Sequence, residues 1–270
     1  MTAAEGAAQA PTHPEWPADA GHLLAPAHWR CIDFISDLHL HEGLPHTLAA
    51  LRQHLASTPA DAVLLLGDIF EAWVGDDMRS QPFEASCVDM LAQTGQRLYL
   101  GFMVGNRDFL VGADMLQACH AHALPDPTVL EAFGQRTLLI HGDALCLADA
   151  AYLKFRAQVR QPAWQAAFQS QPLTQRLAQA RQMREASMAR QQAQQPETYA
   201  DVDEAVARTW LEAAKADTLV HGHTHRPADQ AFGGRMRHVL SDWDLDGPAP
   251  QRAEVMRWDA RGWTRLTPSA

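Results

Sequence analysis

Five short blocks hold the side chains with chemistry to offer: Asp37-Leu38-His39, Gly67-Asp68, Gly105-Asn106-Arg107-Asp108, His141-Gly142-Asp143 and His221-Gly222-His223-Thr224-His225. Each follows an apolar run. Together they offer imidazoles, carboxylates and an amide but no thiolate, a set that suits Mn, Fe or Zn in a catalytic setting rather than a structural zinc knot. Asp37 and His39 stand two apart, so on leaving an extended strand both can face one ion, and His223 with His225 repeats that geometry. Asp68 has two oxygens, enough to bridge ions held about 3.5 to 4 Å apart in two-metal hydrolases. Asn106 adds a neutral oxygen and His141 an imidazole, which limits the negative charge an incoming phosphate would meet. Singly the blocks are weak signals, since a loop histidine is more often a surface residue and Gly-Asp after a strand is commonly a turn. Their joint occurrence points to hydrolytic metal chemistry in a cleft assembled from several loops.

The apolar runs before the blocks predict strands over residues 31–36, 62–66, 97–104, 137–140 and 218–220, with helices over 45–55 and 84–93 between them. Segments 128–133 and 136–140 read as a hairpin, as do 253–258 and 264–266. The expected fold is therefore α/β with a mixed sheet or two sheets, each block lying at the carboxyl end of its strand, where open α/β sheets place their sites.

With 47% hydrophobic and 20% charged residues, the 270-residue chain can bury a large core, and disorder is excluded for most of it. Residues 1–30, rich in Ala and Pro, read as a disordered tail ahead of a domain over 31–270. They lack the basic start and apolar stretch of a secretory signal, and nowhere do about 18 apolar residues run together, so the expected compartment is the cytoplasm. Cys31, Cys87, Cys119 and Cys146 form no CxxC pair and suit reduced thiols. A net charge of -10 argues against a nucleic-acid partner.

From about 149 to 208 no strand pattern appears, and a helical pattern broken at Pro162, Pro172 and Pro196 reads as an inserted cap. Between residues 150 and 196 the basic Lys154, Arg156, Arg160, Arg176, Arg181, Arg184 and Arg190 stand against a single acid, Glu185, which predicts a surface turned towards an anion. Its apolar residues, among them Tyr152, Phe155, Trp164, Phe168, Leu173, Leu177, Met183 and Met188, either seat the cap or line an apolar ligand groove rimmed by arginines.

In this order DxH, GD, GNxD, HGD and GHTH resemble the calcineurin-like metallophosphoesterases over residues 32 to about 266. The resemblance implies an αββα sandwich of two sheets flanked by helices around a dinuclear centre. Asp37, His39, Asp68 and His225 would hold one ion, and Asp68, Asn106, His141 and His223 the other. Most members carry a His where this chain has Arg107, and that His is thought to protonate the leaving oxygen. A guanidinium cannot act as an acid near neutral pH, but its fork suits a diphosphate, whose leaving phosphate needs no proton.

Within the family, GNRDFLVG, FEAWVGDD and HGDALCLAD followed by AYLKFR resemble the diphosphatases of bacterial lipid A synthesis. That resemblance implies a helical cap, two Mn2+ per subunit, and cleavage of UDP-2,3-diacylglucosamine into UMP and 2,3-diacylglucosamine 1-phosphate. The chain would then work as a cytoplasmic monomer, peripheral on the inner face of the inner membrane. Motif matching gives Asp68 and Arg107 catalytic roles and lets Asn106, Arg107 and His223 meet the phosphates, Asp149 the sugar or nucleotide, and the cap contribute Arg184, Ser187, Gln191 and Gln194. The family pattern has Asn and Lys at the last two positions. Competing readings are a member acting on nucleoside diphosphates, cyclic nucleotides or DNA ends, and a scaffold without catalysis.

Overall fold

Two six-stranded sheets face each other, and every candidate ligand block leaves one of them at a carboxyl end. The computed structural model describes residues 14–192 and 200–268. In one sheet β2 (Cys31–Ile35), β3 (Ala62–Leu66), β4 (Tyr99–Met103) and β5 (Ala121–Ala123) run parallel, and β11 (Val255–Asp259) and β12 (Gly262–Leu266) extend the β2 edge antiparallel. In the other, the order is β1 (Gly21–Leu24), β6 (Thr128–Ala132), β7 (Gln135–Leu139), β8 (Thr218–His221), β10 (Arg235–Val239) and β9 (Ala228–Phe232). Both expected hairpins form, β6 with β7 and β11 with β12.

Alternation along β3 shows how the sequence builds the layers. Ala62, Leu64 and Leu66 enter the core between the sheets with Phe34, Leu130, Leu139, Val220 and Trp258, while Val63 and Leu65 face outwards. A fully buried leucine there contributes about 1.5 to 3 kcal/mol relative to exposure. The outward face of that sheet is covered by α1 (Pro45–Ser57) and α2 (Pro82–Gly95), each opening on a proline. Leu51 and Leu55 of α1 and Cys87 and Leu91 of α2 recur at helical spacing on the buried side. A short α3 (Ala113–Ala118) follows β4. All four cysteines are free thiols, and burial pushes those of Cys87, Cys119 and Cys146 up to about 12.

The insert comprises α4 (Ala150–Val159), α5 (Pro162–Gln169) and α6 (Leu173–Gln192). The next helix, α7 (Glu204–Ala214), was expected to belong in part to the cap, yet its Val206, Ala207, Trp210 and Leu211 pack on Leu138 and Leu219 of the second sheet. Asp203 caps it by accepting the Val206 N–H at 3.0 Å, so the cap ends before this helix rather than at 208. The tail also needs correction. Gly21–Leu24, placed in it by composition, is the parallel edge strand β1, paired residue by residue with β6.

Cap chemistry is more inward than its composition suggests. Trp164, Leu173, Leu177 and Ala180 pack against the core, and Trp164 stacks on the buried Phe168 at 4.9 Å, so most of the described apolar cap residues seat it; Met183 stays exposed. Three of its arginines are likewise taken up by the protein. Arg176 is buried, bonded to the Val74 and Gln171 carbonyls and paired with Asp77; Arg156 reaches Asp143 at 2.8 Å; Arg160 reaches the Gly105 carbonyl at 2.8 Å. Among the described residues no helix is long and apolar enough to cross a membrane.

Candidate metal centre

The loops after β2, β3, β4, β7 and β8 converge, and their donor atoms gather in two groups. Asp37, His39 and His225 form one and Asp68, His141 and His223 the other, the donor atoms of each lying within 4.8 Å of one another. Asn106 joins the second group: its Oδ1 lies 3.0 Å from His141 Nε2 and 2.8 Å from His223 Nδ1. His39 Nε2 and His225 Nε2 meet at 3.2 Å. Asp68 stands between the groups, one oxygen 3.6 Å from His141 and the other 4.0 Å from His39. All seven residues assigned to metal by sequence are thus together, in a mixed imidazole, carboxylate and amide set that fits borderline divalent cations.

The backbone is bent to achieve this. Asp37, His39, Asp68, His223 and His225 all take positive φ, between 48° and 66°, a region sparsely populated by residues other than glycine. Five such residues at one spot mark a functional site, since this strain persists only where the surroundings over-determine it. Two glycines permit the close approach. A Cβ on Gly105 would collide with the Asp68 carboxylate, and one on Gly222 with that of Asp37. Asp108, fully buried, ties two of the loops by accepting the N–H groups of Gly105 at 2.7 Å and Ile69 at 2.8 Å.

Outer partners orient the rings. His141 donates Nδ1–H to the Leu66 carbonyl at 2.9 Å, which leaves Nε2 for a metal. His225 Nδ1 lies 3.4 Å from Asp242, itself held by Arg252. Asp37 accepts the His223 N–H at 2.9 Å, and Asp68 accepts the Arg107 N–H at 2.8 Å. His221, first of its block, is structural: it accepts from Arg237 at 2.9 Å, and burial followed by that positive charge holds its pKa down to about 3.

Electrostatics make the empty-handed ligands uncomfortable together. Burial raises the Asp68 carboxyl to about 7, Asp108 and Asp37 adding to the rise and His141 opposing it. Burial works against the charge of His141, but Asp68, Asp143 and Asp37 prevail and raise it to about 9. At pH 7 His141 therefore holds its proton and Asp68 is about half protonated, the two groups lying 3.6 Å apart. His223, lowered to about 4 chiefly by burial, is neutral and ready to coordinate. Metal competes with these protons, so affinity rises as pH climbs from 6 through 9, by about tenfold (~1.4 kcal/mol) per unit for each proton displaced. Calorimetry at pH 7.5 in buffers of different ionisation enthalpy should show about one proton released per protein on Mn2+ loading. A binding heat independent of buffer contradicts this.

Beside the metal ligands lies the anion-seeking part. The Arg107 Nε is buried without a hydrogen-bond partner among the described residues. Arg184 reaches in from α6 to Glu71 at 2.5 Å, and burial, then the like charge of Arg107, lowers its pKa. Asp149 is exposed and caps α4, accepting the Tyr152 N–H at 2.9 Å. Ser187 and Gln191 lie on the last turns of α6, and Gln194 lies outside the described residues. Sequence reasoning missed Glu71, Asp108, Asp242 and the buried Asp143, which accepts from Tyr152 Oη and Arg156. Asp108 and Asp143 stand inside quoted blocks, a signal available but unused.

Two ligand groups with the Asp68 carboxylate standing between them agree with the family match. The model of calcineurin-like phosphoesterases matches residues 32–227, a span that contains every one of these ligands. The chain belongs to that family of hydrolases. It is similar to a UDP-2,3-diacylglucosamine hydrolase of Stenotrophomonas maltophilia (strain R551-3), 44% identical over 247 residues, covering 86% of this chain and 96% of that protein. A protein of the same name from Xanthomonas campestris pv. campestris is 45% identical over 243 residues, covering 85% and 95%. As a calcineurin-like phosphoesterase with these donor groups, the chain binds divalent metal.

Proposed function

We propose that the chain hydrolyses the diphosphate bond of UDP-2,3-diacylglucosamine, releasing UMP and 2,3-diacylglucosamine 1-phosphate. One observation carries the reading: the buried Arg107 Nε, without a hydrogen-bond partner among the described residues, and the Glu71-paired guanidinium of Arg184 stand beside two groups of metal-ligating side chains, a pairing suited to the charge of a diphosphate. The names of relatives at 44 and 45% identity support the same substrate.

In this reading Asp37, His39, Asp68 and His225 hold one Mn2+, and Asp68, Asn106, His141 and His223 the other. Bound there, the ions supply Lewis acidity and a water of lowered pKa. The protein's own groups do the rest. Asp68 and Asn106 fix the spacing of the two sites, and His223 and Asn106 border the phosphate. Arg107 and Arg184 bind the phosphoryl oxygens and stabilise charge that develops on them. No proton donor is needed, because the leaving group is a phosphate. Ser187, Gln191 and Gln194 on the cap, with Asp149 at its base, are proposed contacts to sugar and nucleotide. Exposed Met183 and the basic residues Lys154 and Arg181 give the cap a surface suited to the cytoplasmic face of the inner membrane, where this substrate resides. The protein would act there as a monomer.

Chromatographic detection of UMP from the lipid nucleotide by the Mn2+-loaded protein is the expected result, with an ADP-ribose-like diphosphate and a DNA end turned over at least about 100-fold more slowly, a margin of ~2.7 kcal/mol. If the protein ignores the lipid nucleotide and cleaves either competitor, the substrate assignment fails.

A further inference from the structure

Glu71 follows the isolated bridge between Leu40 and Phe70, at the point where the loops after β2 and β3 touch. Its carboxylate has two neighbours of different kinds. Oε1 lies 2.5 Å from Arg184 Nε on the cap helix α6, and Oε2 lies 3.5 Å from His39 Nδ1. That imidazole nitrogen is buried and makes no hydrogen bond among the described residues. The other nitrogen of the ring, Nε2, faces His225 and Asp68. Each of His141 and His225 has an outer partner on its remaining nitrogen, a carbonyl and a carboxylate respectively. His39 lacks a closed contact of that kind, and the nearest group able to supply one is Glu71.

We infer that Glu71 is a positioning residue that joins the cap to the metal centre: it accepts from His39 Nδ1 to aim Nε2 at the ion, and through Arg184 it holds α6 over the site. A carboxylate on the far nitrogen of a ligating histidine fixes its tautomer and raises its basicity. The same carboxylate balances one of two guanidinium groups that otherwise repel each other. The inference rests on the metal-centre reading above.

Two substrate-free measurements test it: Mn2+ affinity by calorimetry, and amide exchange of α6 by mass spectrometry, on the full-length chain with Glu71→Ala, Glu71→Gln and Arg184→Ala. Glu71→Ala should weaken Mn2+ binding about tenfold or more, the range for lost outer partners, and Glu71→Gln, which still accepts from Nδ1–H, should recover most of that loss. Arg184→Ala should leave Mn2+ affinity within about twofold and, like both Glu71 variants, speed exchange along α6, because the tie across to the loop is gone. Wild-type Mn2+ affinity in Glu71→Ala overturns the inference, as does unchanged α6 exchange in all three. Glu71→Gln keeps the shape of the side chain, so the exchange readout stands even if the alanine variant folds poorly. Neither readout needs substrate, so their failure is distinct from a failure to release UMP.

Discussion

Replacing Asp68 with alanine should abolish tight metal binding and lower turnover by on the order of 10⁴-fold or more, because in the proposed arrangement this one carboxylate would serve both ions, and bound metal contributes several kcal/mol to catalysis. The geometry behind this is its central position, with separate oxygens towards His141 and His39. Elemental analysis after gel filtration reads the metal, and UMP release reads the turnover. Folding should survive. Burial holds the Asp68 carboxyl up near 7, so ionising it in the metal-free protein is unfavourable above its ordinary pKa, and removing it lifts that penalty. Asp68→Asn, which preserves shape, should therefore melt no lower than wild type at pH 8 without metal. Retention of metal and activity in either variant contradicts the assignment.

Arg107→Ala should behave in the opposite way, keeping metal and losing about 10² to 10³ in kcat, the usual cost of deleting one preorganised group at the developing charge. The reason lies in a division of labour within one residue. Its backbone N–H bonds Asp68 at 2.8 Å and its carbonyl accepts the Trp73 N–H at 3.1 Å, and neither depends on the side chain. The guanidinium Nε makes no hydrogen bond among the described residues and the group's charge opposes that of Arg184, so its removal is expected to leave the fold in place. Arg107→Lys restores the charge without the fork and should recover only part of the loss. Melting temperature and Mn2+ content measured beside kcat separate this from a structural effect; loss of metal in Arg107→Ala would show that the side chain works through the ligands instead.

What could be read from sequence follows the physics of each element. The strands before the ligand blocks are buried on both faces or nearly so, and they show as apolar runs; β3 matches its expected bounds, 62–66, to the residue. The ligand set was legible because each donor stands at a strand end beside a glycine or a second donor. β1, β5 and β9 escaped because they are short edge strands, half or more exposed, and the interior β10 escaped with its hairpin arm β9, because its Arg235, Arg237 and His238 break the apolar run. The boundary between cap and α7 escaped because helical periodicity runs on across it, and only packing says which body a helix serves. The cap's charge was visible, but not its use. Arg156, Arg160 and Arg176 are turned inward by Asp143, the Gly105 carbonyl and Asp77, partners that lie up to 99 residues distant and that composition cannot foresee. Glu71 was hidden for the same reason. In sequence it is one letter of an unusual string, and only the fold brings it between a metal ligand and the cap.

The account stands on water attacking the diphosphate of a lipid-linked nucleotide, and hydrolysis in 18O-labelled water by the Mn2+-loaded protein reads that step most directly. Mass spectrometry of the products should find one labelled oxygen in UMP and none in 2,3-diacylglucosamine 1-phosphate, the pattern for water attacking the uridylyl phosphorus, which the resemblance to the lipid A diphosphatases implies. Label in the sugar phosphate, or an intact lipid nucleotide after prolonged incubation, would contradict it.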